Sequence, residues 1–185
     1  MKKGWLILGV VLLLVVGSSV PTYNALVQRR ETIRESWAQV ENVLQRRYDL
    51  IPNLVNTVKG YAAHERGVLE EVTRLRSQWA AAKTLDEKVG AAQQLEGALG
   101  RLMVVLERYP DLKANQNFLA LQDELAGTEN RIAVERRRYN ETVRSYNVLA
   151  RGFPSNLIAK FTGFSPSDAY FQATEQAKHV PKVEL

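Results

Sequence analysis

The apolar positions of this chain fall into two regimes. From Trp5 to Val20 they are nearly unbroken, and no charged side chain occurs from Gly4 to Gln28. At about 1.5 Å of rise per residue, roughly 20 such residues cross the hydrocarbon of a bilayer. Lys2 and Lys3 precede the run, and Trp5 and Tyr23 stand where interfacial aromatics belong. Residues 1–22 are therefore expected to form a membrane anchor. A cleaved signal peptide is the rival reading, because Gly17-Ser18-Ser19 is small enough for a peptidase. Apolar character resumes at Val20, Ala25, Leu26 and Val27 without a break, which favours an anchor that stays in place.

After Tyr23 the spacing changes to alternating threes and fours. Leu26, Ile33, Trp37, Val40, Leu44, Tyr48 and Ile51 form the seam of one long helix, interrupted once by Arg30. Ile51, Val55, Val58, Ala62, Leu69, Val72 and Trp79 predict a second. Between the two, Asp49 and Pro52 stand at the spacing of a helix cap and a first-turn proline, so the chain is expected to reverse there. A proline kink in one continuous helix is the alternative. Thr84-Leu85-Asp86-Glu87 has the form of a capping box and opens a third helix, with its seam at Ala92, Leu95, Leu99, Leu102, Leu106 and Tyr109. Tyr109-Pro110-Asp111 ends it. Asp111 or Asn115 caps a fourth helix, whose buried side carries Phe118, Leu121, Leu125, Ile132, Tyr139, Tyr146 and Phe153.

The expected fold is all-α: a single N-terminal transmembrane helix continuing into an antiparallel four-helix, up-down-up-down bundle over residues 23–153. Residues 154–185 form a membrane-proximal tail. Its Phe161, Phe164, Tyr170 and Phe171, with Lys160 among them, suit either a membrane interface or a strap closing the bundle.

Charge adds a partner to this picture. The net charge is +5, a mild excess that suits anionic lipid or nucleic acid. Arg29, Arg30 and Arg34 follow the span, and Arg151 and Lys160 lie where the fourth helix returns to it. These five are candidate contacts for lipid headgroups, with Trp5 and Tyr23 at the membrane interface. Arg136-Arg137-Arg138 reads as a polar helix face partly neutralised by Glu135 and Glu141, and no nucleic-acid partner is expected. Lys2 and Lys3 argue for an N-terminus inside and the three following arginines for the opposite. The compact order of lysines, apolar run and small residues favours a signal anchor with an extracytoplasmic domain.

The chain offers little chemistry. It has no cysteine, which excludes disulfides, thiolate nucleophiles and cysteine-bound metals. His64-Glu65 opens like a zinc-protease motif, but Val68 occupies the second histidine position and His179 is far away. Gly97 and Gly100 lie in a helical pattern rather than a phosphate loop. No catalytic, cofactor-binding or metal residue is expected, no cofactor, and no enzyme. Asparagines recur after tyrosine at Asn24, Asn140 and Asn147, where buried amides can pin register between helices or lie exposed on helix surfaces. Val43, Leu54, Leu75, Met103, Leu119 and Val134 are apolar positions off the seams and predict a contact surface. An anchor confines copies to two dimensions, so a homo-oligomer is expected.

These residues resemble the LemA family. The resemblance rests on Tyr23-Asn24 with Leu26-Val27, on the block Arg46 to Glu65, and on Tyr109 to Asn115. It continues through Thr128 to Ala133, Arg138-Tyr139-Asn140, Tyr146-Asn147, Phe153-Pro154, Gly163-Phe164 and Pro181-Lys182-Val183. Leu185 departs from the more usual C-terminal aromatic. The resemblance implies a bacterial single-pass membrane protein with a helical-bundle domain and no known catalytic residues. It implies links to envelope or intracellular-membrane organisation and, in some members, a neighbouring membrane protease. Two roles follow: a self-associating scaffold of the envelope membrane, or an adaptor for a membrane protease or other envelope enzyme.

Overall fold

The computed structural model describes the backbone of residues 2–172 and the side chains of Gly17 and residues 19–172 apart from Ala63. Trp5, His179 and the Pro181-Lys182-Val183 segment lie outside that description. The chain is all-α, with no strand among the described residues. Its helices are α1 (Lys2–Asp49), α2 (Ile51–Lys59), α3 (Arg66–Ala81), α4 (Leu85–Leu106), α5 (Pro110–Lys113), α6 (Gln116–Arg151) and α7 (Ser155–Thr162), with a 3₁₀ turn at Ala63–Glu65. Among the described residues no helix is long and apolar enough to cross a membrane. The span expected over Trp5–Val20 falls mostly on side chains outside the description.

The chain divides into two compact units. Unit 1 comprises Met1–Ala38 and Arg137–Asp168, and unit 2 comprises Gln39–Arg136 and Ala169–Leu185.

In unit 2 the chain reverses, but not at Asp49–Pro52. Leu50 stays in the right-handed helical region (φ −78°, ψ −21°), and Asp49 makes no cap bond at the start of α2. Asp49 instead accepts from Gln45 and lies 3.7 Å from Arg76. Pro52 has no N–H to offer the carbonyl of Tyr48, four residues back. Arg76 Nε donates to that oxygen at 2.9 Å, so the proline's missing bond is replaced from α3. The result is a one-residue interruption, closer to the kinked alternative than to a hairpin turn.

The reversal comes at Gly60–Glu65. The Val58 carbonyl accepts from both Tyr61 and Ala62, the last turn tightens, and Ala62 leaves the helical region (φ −117°, ψ 54°). α3 then returns along α2 and the end of α1, bringing Trp79 edge-on to Tyr48 at 4.8 Å.

The capping box forms as read: Thr84 accepts from the Glu87 N–H, and the Glu87 carboxylate accepts from Thr84 and Lys83. Those backbone donors hold the Glu87 carboxyl below its ordinary pKa. At α6 the cap is Asn115, whose Oδ1 accepts from Asn117 and Phe118, while Asp111 lies in the first turn of α5.

The seams largely hold. Leu26, Ile33, Trp37, Val40, Leu44, Tyr48 and Ile51 are buried, as are Leu95, Leu99, Leu102 and Leu106. Leu54 is buried where Val55 was expected, and Leu75 is also core, so neither belongs to an outer contact surface. Residues at i+3 and i+4 share a helix face, so Ile51, Leu54 and Val58 carry the stripe as well as Ile51, Val55 and Val58 would. Phe153, expected on the buried side of the fourth helix, is exposed because α6 ends at Arg151.

Candidate functional site

In unit 1 the chain beyond α6 is tied down by hydrogen bonds between side chains of α6 and its backbone. Gly163 closes α7 in the left-handed conformation (φ 77°), which glycine alone adopts without cost from a Cβ. The turn puts Phe164 against α1: Tyr23 meets its ring edge-on at 5.7 Å, and the Arg30 guanidinium lies 5.4 Å from its centroid. Tyr146 donates its hydroxyl to the Ser165 carbonyl at 2.8 Å. Asn147 donates to the Ser167 carbonyl at 2.7 Å and accepts from the Ser167 N–H at 2.9 Å. The amide thus pins the tail segment. Asn53, Asn56 and Asn130, by contrast, are exposed. Burial raises the pKa of Tyr146, and Arg30 partly offsets the shift. Residues 163–168 therefore act as a strap.

A second side of this segment is bare. Ala159 is the buried residue of α7, while Phe161 is 96% exposed, Phe153 84% and Leu157 57%. Gly152 admits the chain into this corner: a Cβ there would stand 2.8 Å from the Val148 carbonyl.

The residues expected to meet lipid are all in unit 1. Arg29 and Lys160 are exposed and carry no ion pair among the described residues. Arg34 pairs with Glu31 at 2.7 Å and Arg151 with Asp168 at 3.0 Å, both at the surface where screening leaves little net attraction. Arg30 reaches the strap through Phe164, and Tyr23 is partly exposed beside it.

In unit 2 a buried ionic cluster went unread in the sequence. Arg47 is 6% exposed. It donates to Glu129 at 2.8 Å and to the Leu125 carbonyl at 3.3 Å, and lies 3.4 Å from Glu96, itself 7% exposed. Burial raises the Glu96 carboxyl above its ordinary range, and Arg47 and then Arg136 pull it back. Burial also drives the Tyr48 phenol well up, with the Glu96 charge adding to the effect. Arg136 is half-buried, its guanidinium 4.8 Å from the Phe171 ring centroid. The sequence signal was Arg47 at three residues after Leu44, a seam position occupied by a charge.

The tip of the α2–α3 reversal gathers two of the sequence blocks. Glu65 accepts from Tyr109 at 3.0 Å and from Arg108 at 3.2 Å, and Asn115 donates to the Tyr61 hydroxyl at 3.0 Å. The bond to Glu65 raises the Tyr109 phenol. Next to it, Val55, Lys59, Arg66, Leu69, Glu70 and Thr73 help line a groove of about 640 Å³. The Thr73 and Ser77 hydroxyls there donate to carbonyls of their own helix. Among the described residues no group of histidine, aspartate and glutamate could hold a metal ion. His64 is exposed in the 3₁₀ turn.

Comparison with known proteins gives this architecture a family. The model of the LemA family matches residues 36–185. The chain is 29% identical over 177 residues to the magnetosome protein MamQ 2 of Paramagnetospirillum magneticum, covering 81% of this chain and 64% of that protein. It is 28% identical to the magnetosome protein MamQ of Magnetospirillum gryphiswaldense, over 77% of this chain and 62% of the relative. The protein LemA of Metamycoplasma hominis is 26% identical, over 88% of this chain and 72% of the relative. The chain thus spans a little under two thirds of the length of its magnetosome relatives.

Proposed function

The chain belongs to the LemA family, and from that premise we propose that it is a non-enzymatic, single-pass protein of the bacterial inner membrane. Its helical bundle self-associates as a scaffold that organises or shapes the membrane. The observation that carries this reading is the exposure of Val104, Leu119 and Val134, apolar side chains on helices whose other faces already supply a core. Scattered apolar residues are ordinary on a surface, but membrane anchoring raises the effective concentration of copies, so modest contacts suffice. The uncharged run from Gly4 to Gln28 supports the anchor. The ties of α1 to α3, α4 and α6 support an up-down-up-down bundle. The unbroken order of lysines, span and domain supports an extracytoplasmic placement.

Single cysteines at positions 104, 119 and 134 test the scaffold directly, since the native chain has none. Cross-linked dimers and higher species are expected in native membranes at normal expression. Monomers alone at every position overturn the scaffold and leave the adaptor for a membrane protease in its place. Intact mass tests the anchor: a mature chain beginning near Ser19 or Val20 removes it.

A further inference from the structure

We propose that α7 forms a second membrane contact. Its outward Leu157 and Phe161, with Phe153 of the preceding turn and Lys160 at the rim, lie in the headgroup layer of a bilayer containing anionic phospholipid. This rests on the anchored reading above and extends it from a helix that crosses the membrane to a base that also lies on it.

The helix geometry sets the face. Leu157 and Phe161 are each two residues from Ala159, about 200° around the helix. With Ala159 buried, both must point outward, and Phe153, in the turn that precedes α7, is exposed as well. α7 thus presents Leu157 and Phe161 to solvent, while Ile158 is half-buried and the small Ala159 faces in.

The occupant follows from position, charge and area. Phe164, directly after the cap at Gly163, packs against Tyr23 and Arg30. That joins α7 to the stretch of α1 that immediately follows the apolar run ending at Val20. The sequence of α7 carries Lys160 and no acid, and the nearest following acid, Asp168, is tied to Arg151. Exposed aromatics with a lysine at the rim match an interfacial helix on anionic lipid. A second copy of the chain fits less well. Two phenylalanines and a leucine supply roughly 500 Å² per copy even when wholly covered, short of the about 800 Å² per partner of a standard interface.

The test uses the full chain, with Phe161→Cys carrying an environment-sensitive fluorophore, in vesicles of phosphatidylethanolamine and phosphatidylglycerol. Asn42→Cys is the control, exposed on α1 and about 33 Å of helix beyond Val20. Lipids with nitroxides near the headgroup should quench the label at position 161 about twofold and leave position 42 unchanged. Lys160→Glu in the same background should reduce the quenching. Leu157→Cys provides a second reporter that leaves the buried residues untouched. Failure of the protein to float with vesicles overturns the anchor and this proposal together. Flotation without lipid quenching at 157 and 161 overturns the proposal and leaves the anchor standing. Oxidation of unlabelled Phe161→Cys to disulfide-linked dimers, with no lipid quenching of the labelled protein, shows that a second copy covers the face, and overturns it as well.

Discussion

Two arginine pairs sit on the same helix. Arg29-Arg30 belongs to unit 1 and Arg46-Arg47 to unit 2. In each, one arginine falls at seam spacing: Arg30 four residues after Leu26, Arg47 three after Leu44. Their fates differ. Arg30 stays exposed with its guanidinium over the ring of Phe164, while Arg47 is drawn inside between Glu96, Glu129 and the Leu125 carbonyl. What decides between them is the facing surface. An aromatic strap accepts a cation at its rim, and a pair of carboxylates accepts it in the core. At this seam position unit 1 therefore keeps its arginine outside, and unit 2 draws its own into the core.

The sharpest way to break that comparison is to remove Arg47. Arg47→Ala leaves Glu96 buried without its nearest cation and should cost about 3–5 kcal/mol of unfolding free energy, read from urea titration of the full chain in detergent. Replacing both partners together, as Arg47→Met with Glu96→Leu, should recover most of the loss, because the burial penalty of both charges disappears with them. A cost below about 1 kcal/mol for the single change would put Arg47 in the same class as Arg30.

The apolar half of unit 2 provides the reference for scale. Leu102 is fully buried on α4. Leu102→Ala should cost about 2–5 kcal/mol, the range for a leucine whose cavity the neighbours fill only in part. A change under roughly 1 kcal/mol would show that the third seam packs loosely.

Titration sharpens the comparison further. Burial first, opposed by Arg47 and Arg136, holds the Glu96 carboxyl above its ordinary value in the folded chain. A raised folded pKa favours folding while the group is protonated. Its contribution is complete below the unfolded value of about 4.3 and is lost as pH rises through the folded value. Glu96→Gln cannot ionise, so its stability relative to the native chain should improve between acid and neutral pH. Paired urea titrations across that window read the difference. A flat or falling difference would mean that the arginines outweigh burial.

These contrasts also show what was legible in sequence. Helix periodicity, the capping box at Thr84 and the Asn115 cap are local, and they were read because three or four neighbouring residues determine them. The reversal was misplaced for the same reason. Asp49 and Pro52 carry a local start signal, but the bond the proline forfeits is supplied by Arg76, which no local pattern announces. Lys59-Gly60 was the true stop, a basic residue in the last turn followed by glycine. It was masked by Val58 and Ala62, which continue the apolar spacing across it. The Arg47 cluster was invisible because Glu96 and Glu129 are far along the chain. The exposed α7 face required knowing that Ala159, rather than the larger Phe161, turns inward.

The smallest expected effect closes the comparison from the other side. Arg30→Ala removes a cation lying 5.4 Å from the Phe164 ring centroid, but Tyr23 still packs against that ring and the Tyr146 and Asn147 bonds to the strap are untouched. An exposed cation–π contact is worth about 0.5–1 kcal/mol, so unfolding should shift by no more than that. The phenol of Tyr146, which Arg30 now pulls down against burial, should ionise at still higher pH in the variant. Arg30→Lys should restore part of both effects, since the charge remains over the ring while the planar stacking does not. Vesicle binding should respond differently: at about 1 kcal/mol per basic residue near an anionic surface, the weakening should appear at low salt and fade as salt rises. If Arg30→Ala instead destabilised the chain as much as Arg47→Ala, without a salt-dependent change in lipid binding, Arg30 would be a structural residue of unit 1. The contrast between an arginine kept outside and one drawn into the core would then fail.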